Sequence, residues 1–421
     1  MNSLILSTFD ISGGAAKAAF RLHNGLKEIN IKSLMLVEYK TSSDPNVFAY
    51  TNKLDKLLNQ MRPTLDNLPL KFYPKHDYGT FSPQWFPDFI NYKIKHLSPD
   101  TIPDIINIHW TCGYLKIESI AKFKQPLVWT LHDMWAFTGG CHYSLGCNRY
   151  TKSCGNCIQL DSQKELDLSQ WVWKRKAQAW QNLNLTIVTP SRWLAKVAGE
   201  SSLFKNCPIK VIPNGIDIQK YKPIDKKTAR KWLNLPVDKK FILSGVAKSS
   251  AKRKGIHLLE KALQNLSGYK DEVELITFGS LQPSEQNSEK YKSDFKCHYM
   301  GNLHDDISLA LVYAAADVFV TASIQDNLPN TVMEALACGT PCVAFNIGGI
   351  PDMIEHQANG YLAQPFEVES LAKGIDWVLS NDDHQKICDR AREKVEQEFS
   401  LELQARRYSK LFNEVINQNS L

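Results

Sequence analysis

Asp326 and Glu334 stand with seven residues between them in the segment Asp-Asn-Leu-Pro-Asn-Thr-Val-Met-Glu-Ala-Leu-Ala-Cys-Gly-Thr-Pro, residues 326–341. Pro329 is placed to open a helix, because the first turn needs no N–H from it. Gly339 can close that helix in a left-handed cap, and Pro341 keeps it from resuming. Residues 342–345 then read as a buried strand. Asp326 therefore falls in the loop before the helix, and Glu334 about one turn inside it. A helix N-terminus, here at Asn330 and Thr331, presents N–H groups and a positive dipole end to a phosphate. A carboxylate one turn in can accept hydrogen bonds from two vicinal hydroxyls, such as those of a ribose. A loop carboxyl can reach a sugar beyond the phosphates. The same spacing also suits an ordinary helix of an α/β sheet carrying two surface acids.

Two more segments have the composition of anion sites. Gly13-Gly14-Ala15-Ala16 follows the first apolar run, and small residues there let backbone N–H groups approach a ligand closely. Most such pairs only make a tight strand-to-helix turn. The segment lacks the Gly-x-Gly-x-x-Gly dinucleotide fingerprint, which disfavours a nicotinamide enzyme. Residues 245–255 carry Lys248, Lys252, Arg253 and Lys254 between a strand and an amphipathic helix at 256–266. Fixed cations stabilise a leaving diphosphate more in the transition state than in the ground state. Taken alone, the segment is more often a solvated basic loop.

His109 and His132 each end an apolar run, and parallel sheets bind ligands beyond the carboxyl ends of their strands. A satisfied structural role is the commoner one for any single histidine. Cys141, Cys147, Cys154 and Cys157 are separated by five, six and two residues. The Cys-x-x-Cys with its glycine turn suits a structural zinc knuckle, with His142 as a substitute ligand. Disulfides or free thiols are the alternatives. Lys174-Arg175-Lys176 lies among Trp171, Trp173 and Trp180. That pattern fits contact with an anionic membrane, or a surface helix with a buried aromatic side.

The elements that must position these residues follow from pattern and length. A chain of 421 residues is long for one core and fits two domains of about 200 residues each. Apolar runs at 3–7, 32–37, 104–109, 127–132 and 185–189 form one series of strands. Runs at 210–212, 241–246, 272–278, 297–300, 317–321 and 342–345 form a second. Continuous apolar strands separated by helices imply α/β structure with parallel sheets covered on both faces. The turn-rich stretch within 191–217 marks the boundary. Residues 1–9 read as the first strand, not a signal peptide, and no run approaches the ~20 apolar residues of a membrane span. The expectation is a cytoplasmic protein whose ten cysteines stay reduced. A net charge of +6 favours anionic partners without naming them. No nucleic-acid module is visible.

The stretch from Asp326 to Pro341 resembles the signature of the retaining glycosyltransferases of family 4. Their first acid is usually Glu, one methylene longer than Asp326. Pro213-Asn214-Gly215 is similar to the family's linker, and Gly13-Gly14 to its glycine loop. Thr130-Leu131-His132-Asp133 is similar to the segment whose His contacts the donor sugar. Lys254-Gly255 matches the end of its basic motif; Lys248 stands near the usual Arg, and Arg253 is an extra candidate. Gly139-Gly140-Cys141-His142-Tyr143 resembles a branch acting on surface polysaccharides.

The resemblance implies the GT-B fold, two Rossmann-like doubly wound domains facing a central cleft. Residues 1–200 would form the acceptor-side domain and 201–396 the nucleotide-sugar domain. Residues 397–421 would form a helix packing back on the first domain. It implies transfer of a sugar, with retention, from a nucleoside diphosphate to a hydroxyl of a glycan or lipid-linked acceptor. Glu334 would hold the ribose. Gly14, Lys254, Lys248 or Arg253, and the helix end at Asn330 and Thr331 would hold the diphosphate. Asp326 and His132 would hold the sugar, and His109 would help bind the acceptor. No metal is needed for such catalysis, so zinc would only brace the loop after His132. The protein would work in the cytoplasm, in places at the inner face of the membrane. A GT-B sugar-nucleotide epimerase or a non-catalytic binding subunit remains open from the sequence.

Overall fold

Apolar strands without polar alternation need cover on both faces, and they receive it. The computed structural model describes the chain except for residues 50–52, 77–78, 96, 98–101, 247–251, 280–294 and 419–421. One sheet contains β1 (Asn2–Phe9), β2 (Lys32–Tyr39), β3 (Val47–Ala49), β4 (Ile105–Ile108), β5 (Leu127–Thr130), β6 (Leu185–Thr189) and β7 (Ile209–Val211). Its order is β3-β2-β1-β4-β5-β6-β7. The second contains β8 (Lys240–Val246), β9 (Val273–Gly279), β10 (Cys297–Tyr299), β11 (Val318–Thr321), β12 (Cys342–Phe345) and β13 (Gly360–Ala363). Its order is β10-β9-β8-β11-β12-β13. Neighbouring strands in both sheets are parallel. Each order reverses once, between β1 and β4 and between β8 and β11. Such reversals open the crevices in which doubly wound sheets bind ligands.

The strands fall on the apolar runs read from the sequence, except β3 and β13, which were not foreseen. One grouping changes. The run at 210–212 had been placed with the second series, but β7 pairs with β6 through Ile187 and Ile209 and so edges the first sheet. The chain forms two compact units, Met1–Gly215 with Glu402–Leu421, and Ile216–Leu401.

In the first unit, alternate residues of each strand enter opposite layers. Leu4, Leu6, Ile106 and Ile108 pack with Trp129, Trp135, Trp180 and Phe204. Ile5, Met35, Val128 and Val188 pack with Leu22 and Leu26 of the first helix, Gly14–Glu28, and with Tyr408 and Phe412 of the terminal helix, Leu401–Gln418.

In the second unit, the helix Asn330–Ala337 buries Val332, Met333 and Leu336 against Phe319 and Ala344. Its end is a Schellman motif. Thr340 N–H donates to the Ala335 carbonyl at 2.9 Å and Gly339 N–H to the Leu336 carbonyl at 3.0 Å, with Gly339 at φ +74°. That geometry is open to glycine and strained for other residues.

Candidate active site

The loop after β11 and the turn after β8 bring three charges together. Lys254 Nζ donates to Asp326 Oδ2 at 2.7 Å, and Arg253 Nη1 lies 3.3 Å from the same oxygen. Arg253 also holds the loop itself. Its Nη1 donates to the Gln325 carbonyl at 2.7 Å, and its own carbonyl accepts from Ile324 N–H at 2.7 Å. Ser323 Oγ and Asn327 N–H complete the shell around the Asp326 carboxylate, at 3.3 and 3.1 Å. Burial works to raise the Asp326 pKa, but the Lys254 ammonium and Arg253 guanidinium outweigh it and hold the carboxyl at about 2. The acid is ionised at every working pH, and the two cations stay oriented on it.

Gly255 makes this contact sterically feasible. It caps the helix Ile256–Gln264 at φ +63°. A Cβ there would lie 1.9 Å from the Ala322 carbonyl oxygen, so any side chain would drive the basic turn away from the acid.

Glu334 sits one turn inside its helix and is only 3 % exposed, as Asp326 is 6 %. The alternative of two surface acids is thereby removed. Tyr313 Oη donates to Glu334 Oε2 at 3.1 Å, which fixes the carboxylate's orientation. Asn330 and Thr331 open the helix, and the Val332 N–H closes its first turn on the Pro329 carbonyl at 3.1 Å. Lys248 lies outside the described residues.

In the first unit, His109 and His132 form one buried chain of hydrogen bonds. His109 Nδ1 and His132 Nε2 are 2.9 Å apart, and the rings stack at 5.1 Å. Asn107 Nδ2 meets His109 Nε2 at 3.1 Å, and Thr130 Oγ1 donates to Asn107 Oδ1 at 3.0 Å. Tyr408 Oη lies 2.9 Å from Thr130 Oγ1. Burial lowers the pKa of His132 to about 4, partly offset by Asp133. Burial, with the neighbouring His132, takes His109 well below its usual value. Both rings are neutral near pH 7, and the chain's donors can then be assigned. Thr130 gives its proton to Asn107, so Tyr408 donates to Thr130. Asn107 donates to His109 Nε2, so His109 carries its proton on Nδ1 and donates to His132. His132 is left as the Nδ1–H tautomer. Both ring nitrogens of His109 are thus engaged within the protein.

Gly13 caps the first helix at φ +91°, and Gly14 is its first residue. Just before them stands a residue that the sequence did not single out. Asp10 is fully buried and accepts from the N–H groups of Thr41 and Ser42 at 2.9 and 2.7 Å. Burial opposes its ionisation, but these hydrogen bonds lower its pKa. Its signal was an acid directly between a strand and a glycine pair.

The cysteine reading gains no support. Among the described residues, no group of three or more His, Cys, Asp or Glu side chains is placed to hold a metal ion. A zinc site at Cys141, Cys147, Cys154 and Cys157 is therefore not supported. Cys154 Sγ instead accepts from Gly139 N–H at 3.1 Å. Burial pushes its pKa up to about 12 and raises that of Cys141 strongly in the metal-free protein. His142, the substitute ligand, is engaged at both nitrogens, by Asp133 at 2.7 Å and Ser82 at 3.0 Å. The loop is braced by protein contacts: a bridge between Phe81 and Cys141, and Lys176 Nζ donating to the Trp135 and Thr138 carbonyls.

Lys176 is fully buried and lies 3.5 Å from the centre of the Trp135 ring. Arg175 pairs with Glu118 at 2.7 and 2.8 Å. Two of the three cations of this stretch are thus held by protein contacts, while Lys174 is exposed beside the exposed Trp171. No helix among the described residues is long and apolar enough to cross a membrane.

Comparison with known proteins accounts for both units. The family model "Glycosyltransferase Family 4" matches residues 12–220, and "Glycosyl transferases group 1" matches residues 225–395. WcaC of Escherichia coli, assigned to colanic acid biosynthesis, is 24% identical over 89% of this chain and 90% of its own length. An N-acetylgalactosaminyltransferase of Campylobacter jejuni acting on N,N'-diacetylbacillosaminyl-diphospho-undecaprenol is 26% identical over 50% of this chain and 55% of its own. The same fold occurs in sucrose-phosphate synthase from Thermosynechococcus elongatus, with a TM-score of 0.67 and 19% identity over 99% of this chain and 100% of that one. It also occurs in Anabaena HepE in complex with UDP-glucose, with a TM-score of 0.64 and 18% identity over 98% and 99%. Two parallel Rossmann-like sheets, each matched by its own glycosyltransferase model, place the chain among the glycosyltransferases of family 4 and group 1, with the GT-B fold.

Proposed function

We propose that the protein is a retaining glycosyltransferase. It would move a sugar from a nucleoside diphosphate sugar to a hydroxyl of a glycan or lipid-linked acceptor during surface polysaccharide synthesis. The observation that carries this reading is the Lys254–Asp326–Arg253 cluster, lying ahead of a helix whose first turns hold a buried Glu334. The second unit serves the donor. Glu334 takes the ribose hydroxyls. The N–H groups of Asn330 and Thr331, with Lys254 and Arg253, take the diphosphate. Asp326 orients the cations and accepts from a sugar hydroxyl. The first unit serves the acceptor, and Gly14 opens the glycine loop that faces the phosphates. His132 holds the sugar, and His109 fixes the tautomer of its ring.

In the reaction, the bond from the anomeric carbon to the β-phosphate oxygen breaks, and the acceptor oxygen bonds to the same face. The acceptor's proton passes to the departing phosphate, and the nucleoside diphosphate leaves. WcaC and the Campylobacter enzyme support a polysaccharide or lipid-linked acceptor, and HepE makes UDP-glucose the first donor to try.

The test is to incubate the protein with UDP-sugars and follow release of UDP and the anomer of the product by NMR. An inverted anomer would refute retention, and absence of donor binding across all common nucleotide sugars would refute the function. Glu334→Gln keeps the shape and the Tyr313 contact but removes the charge. Losing charge-assisted hydrogen bonds costs about 1.5–3 kcal/mol each. Calorimetry should therefore find donor affinity weakened by about tenfold or more, with the fold unchanged. Wild-type affinity would exclude the ribose role.

A further inference from the structure

A second concave site lies at the carboxyl ends of β1, β2 and β4, apart from the histidine chain. Three aromatic rings form one wall. Phe9 stacks on Tyr39 at 5.2 Å and on Trp110 at 6.5 Å, both with 20° between planes. The row is set by strand register, since Phe9 pairs with Tyr39 across the sheet and Thr8 N–H donates to the Trp110 carbonyl at 2.8 Å. The rings, with Asp66 and Gln84, line an open pocket of about 220 Å³. That is smaller than the ~300–1,000 Å³ of sites for drug-sized ligands, and suits a single ring.

The polar wall carries acceptors that the protein leaves unmatched. Asp66 is 5 % exposed. Its Oδ1 accepts from the N–H groups of Trp85 and Phe86 at 3.1 and 2.8 Å, while Oδ2 has no hydrogen-bond partner. Gln84 is 1 % exposed. Its amide nitrogen donates to the Thr111 carbonyl at 2.6 Å, and its Oε1 has no partner. Its backbone stands at φ +48°, a strained conformation that persists only where surrounding structure imposes it. Two buried acceptors without donors are exceptions in a folded protein and ask for a ligand that brings donors.

We infer that this pocket is a subsite for one neutral pyranose ring of the acceptor, stacked by its C–H face on the aromatic row and hydrogen-bonded through hydroxyls to Asp66 and Gln84. The charge pattern selects the class. Among the described lining residues there is no Lys, Arg or His, and there is a carboxylate. A uronic acid or a sugar phosphate would face the Asp66 acid, while the nearest guanidiniums, Arg62 and Arg175, stand outside the lining and are engaged by the Phe86, Pro87, Pro83 and Gln84 carbonyls and by Glu118. The acceptor role of the ring rests on the proposed function, whereas its binding does not.

The test is saturation-transfer NMR on the full chain. The probes are the methyl glycosides of glucose, galactose and mannose, with methyl glucuronide as the anionic counterpart, and UDP binding is followed in parallel. At least one neutral glycoside should receive saturation and the glucuronide none. Asp66→Asn and Tyr39→Ala should each weaken the neutral glycoside by about tenfold or more while UDP binding stays unchanged. Glycoside binding without UDP binding in the wild type would support the subsite and sink the donor reading. No saturation of any neutral glycoside, equal binding of the glucuronide, or undiminished binding in both variants would overturn the proposal.

Discussion

Lys254→Ala is expected to lower kcat by about 10²–10³-fold, the usual cost of removing one fixed electrostatic stabiliser. Donor affinity should fall much less. The ammonium is held on Asp326 before any donor arrives, so the enzyme does no work to orient it when charge develops on the leaving phosphate. The same substitution removes the larger of the two cationic influences that depress Asp326. The acidic limb of the pH–rate profile should therefore move upward. Lys254→Arg should restore part of kcat, because a cation returns without the same reach. A variant that raises only the donor KM, with kcat and the acidic limb intact, would contradict the role.

Acid is expected to loosen the first unit well before it reaches carboxylate pKa values. His132 has a folded pKa of about 4 against an ordinary value near 6.5. Above pH 6.5 neither state binds the proton and the contribution is complete. Between 6.5 and 4 the unfolded chain binds a proton that the folded chain refuses, so stability falls as pH falls. The loss over that window is about 3 kcal/mol, and His109 shifts in the same direction. Asp326 acts lower, its stabilisation being complete above its ordinary carboxylate range and lost as pH falls toward 2. Thermal unfolding between pH 7 and pH 4.5, followed by tryptophan fluorescence, measures the first effect, since Trp129 donates to the His109 carbonyl. His132→Gln should flatten the slope. An equal slope in both proteins would assign the acid sensitivity elsewhere.

The strands, the two series and the helix from Asn330 were legible because each is written locally, in apolar runs and in a Pro and a Gly at the right ends. The candidate residues could be placed near strand ends too, since several of them follow an apolar run. What lies beside what was not. Lys254 and Asp326 are 72 residues apart, and their ion pair depends on β8 and β11 being neighbours across the reversal. The His109–His132 chain likewise needs β4 beside β5, with Ile108 opposite Trp129. Asp66 closes the helix Lys53–Asp66 and Gln84 lies in an irregular stretch, and neither follows a strand or stands in a motif that would mark it. The cysteine spacing brings the four side chains within electrostatic reach of one another, but spacing alone does not supply the ligand geometry of a knuckle.

Tyr408 ends the hydrogen-bond chain by donating to Thr130, yet it belongs to the last helix. The first unit is therefore discontinuous along the chain, with the whole second unit, Ile216–Leu401, inserted before its final segment. During synthesis the second unit can fold as one contiguous piece while the first waits, its sheet covered on one side only by the helix Gly14–Glu28. A ribosome that stalls after residue 401 would release a protein able to form the donor-side charges but with the histidine pair uncoupled from its phenol. Assembly of the first unit thus waits on residues 402–421, and a chain cut before them leaves Ile5, Met35, Val128 and Val188 without Tyr408 and Phe412 to pack against.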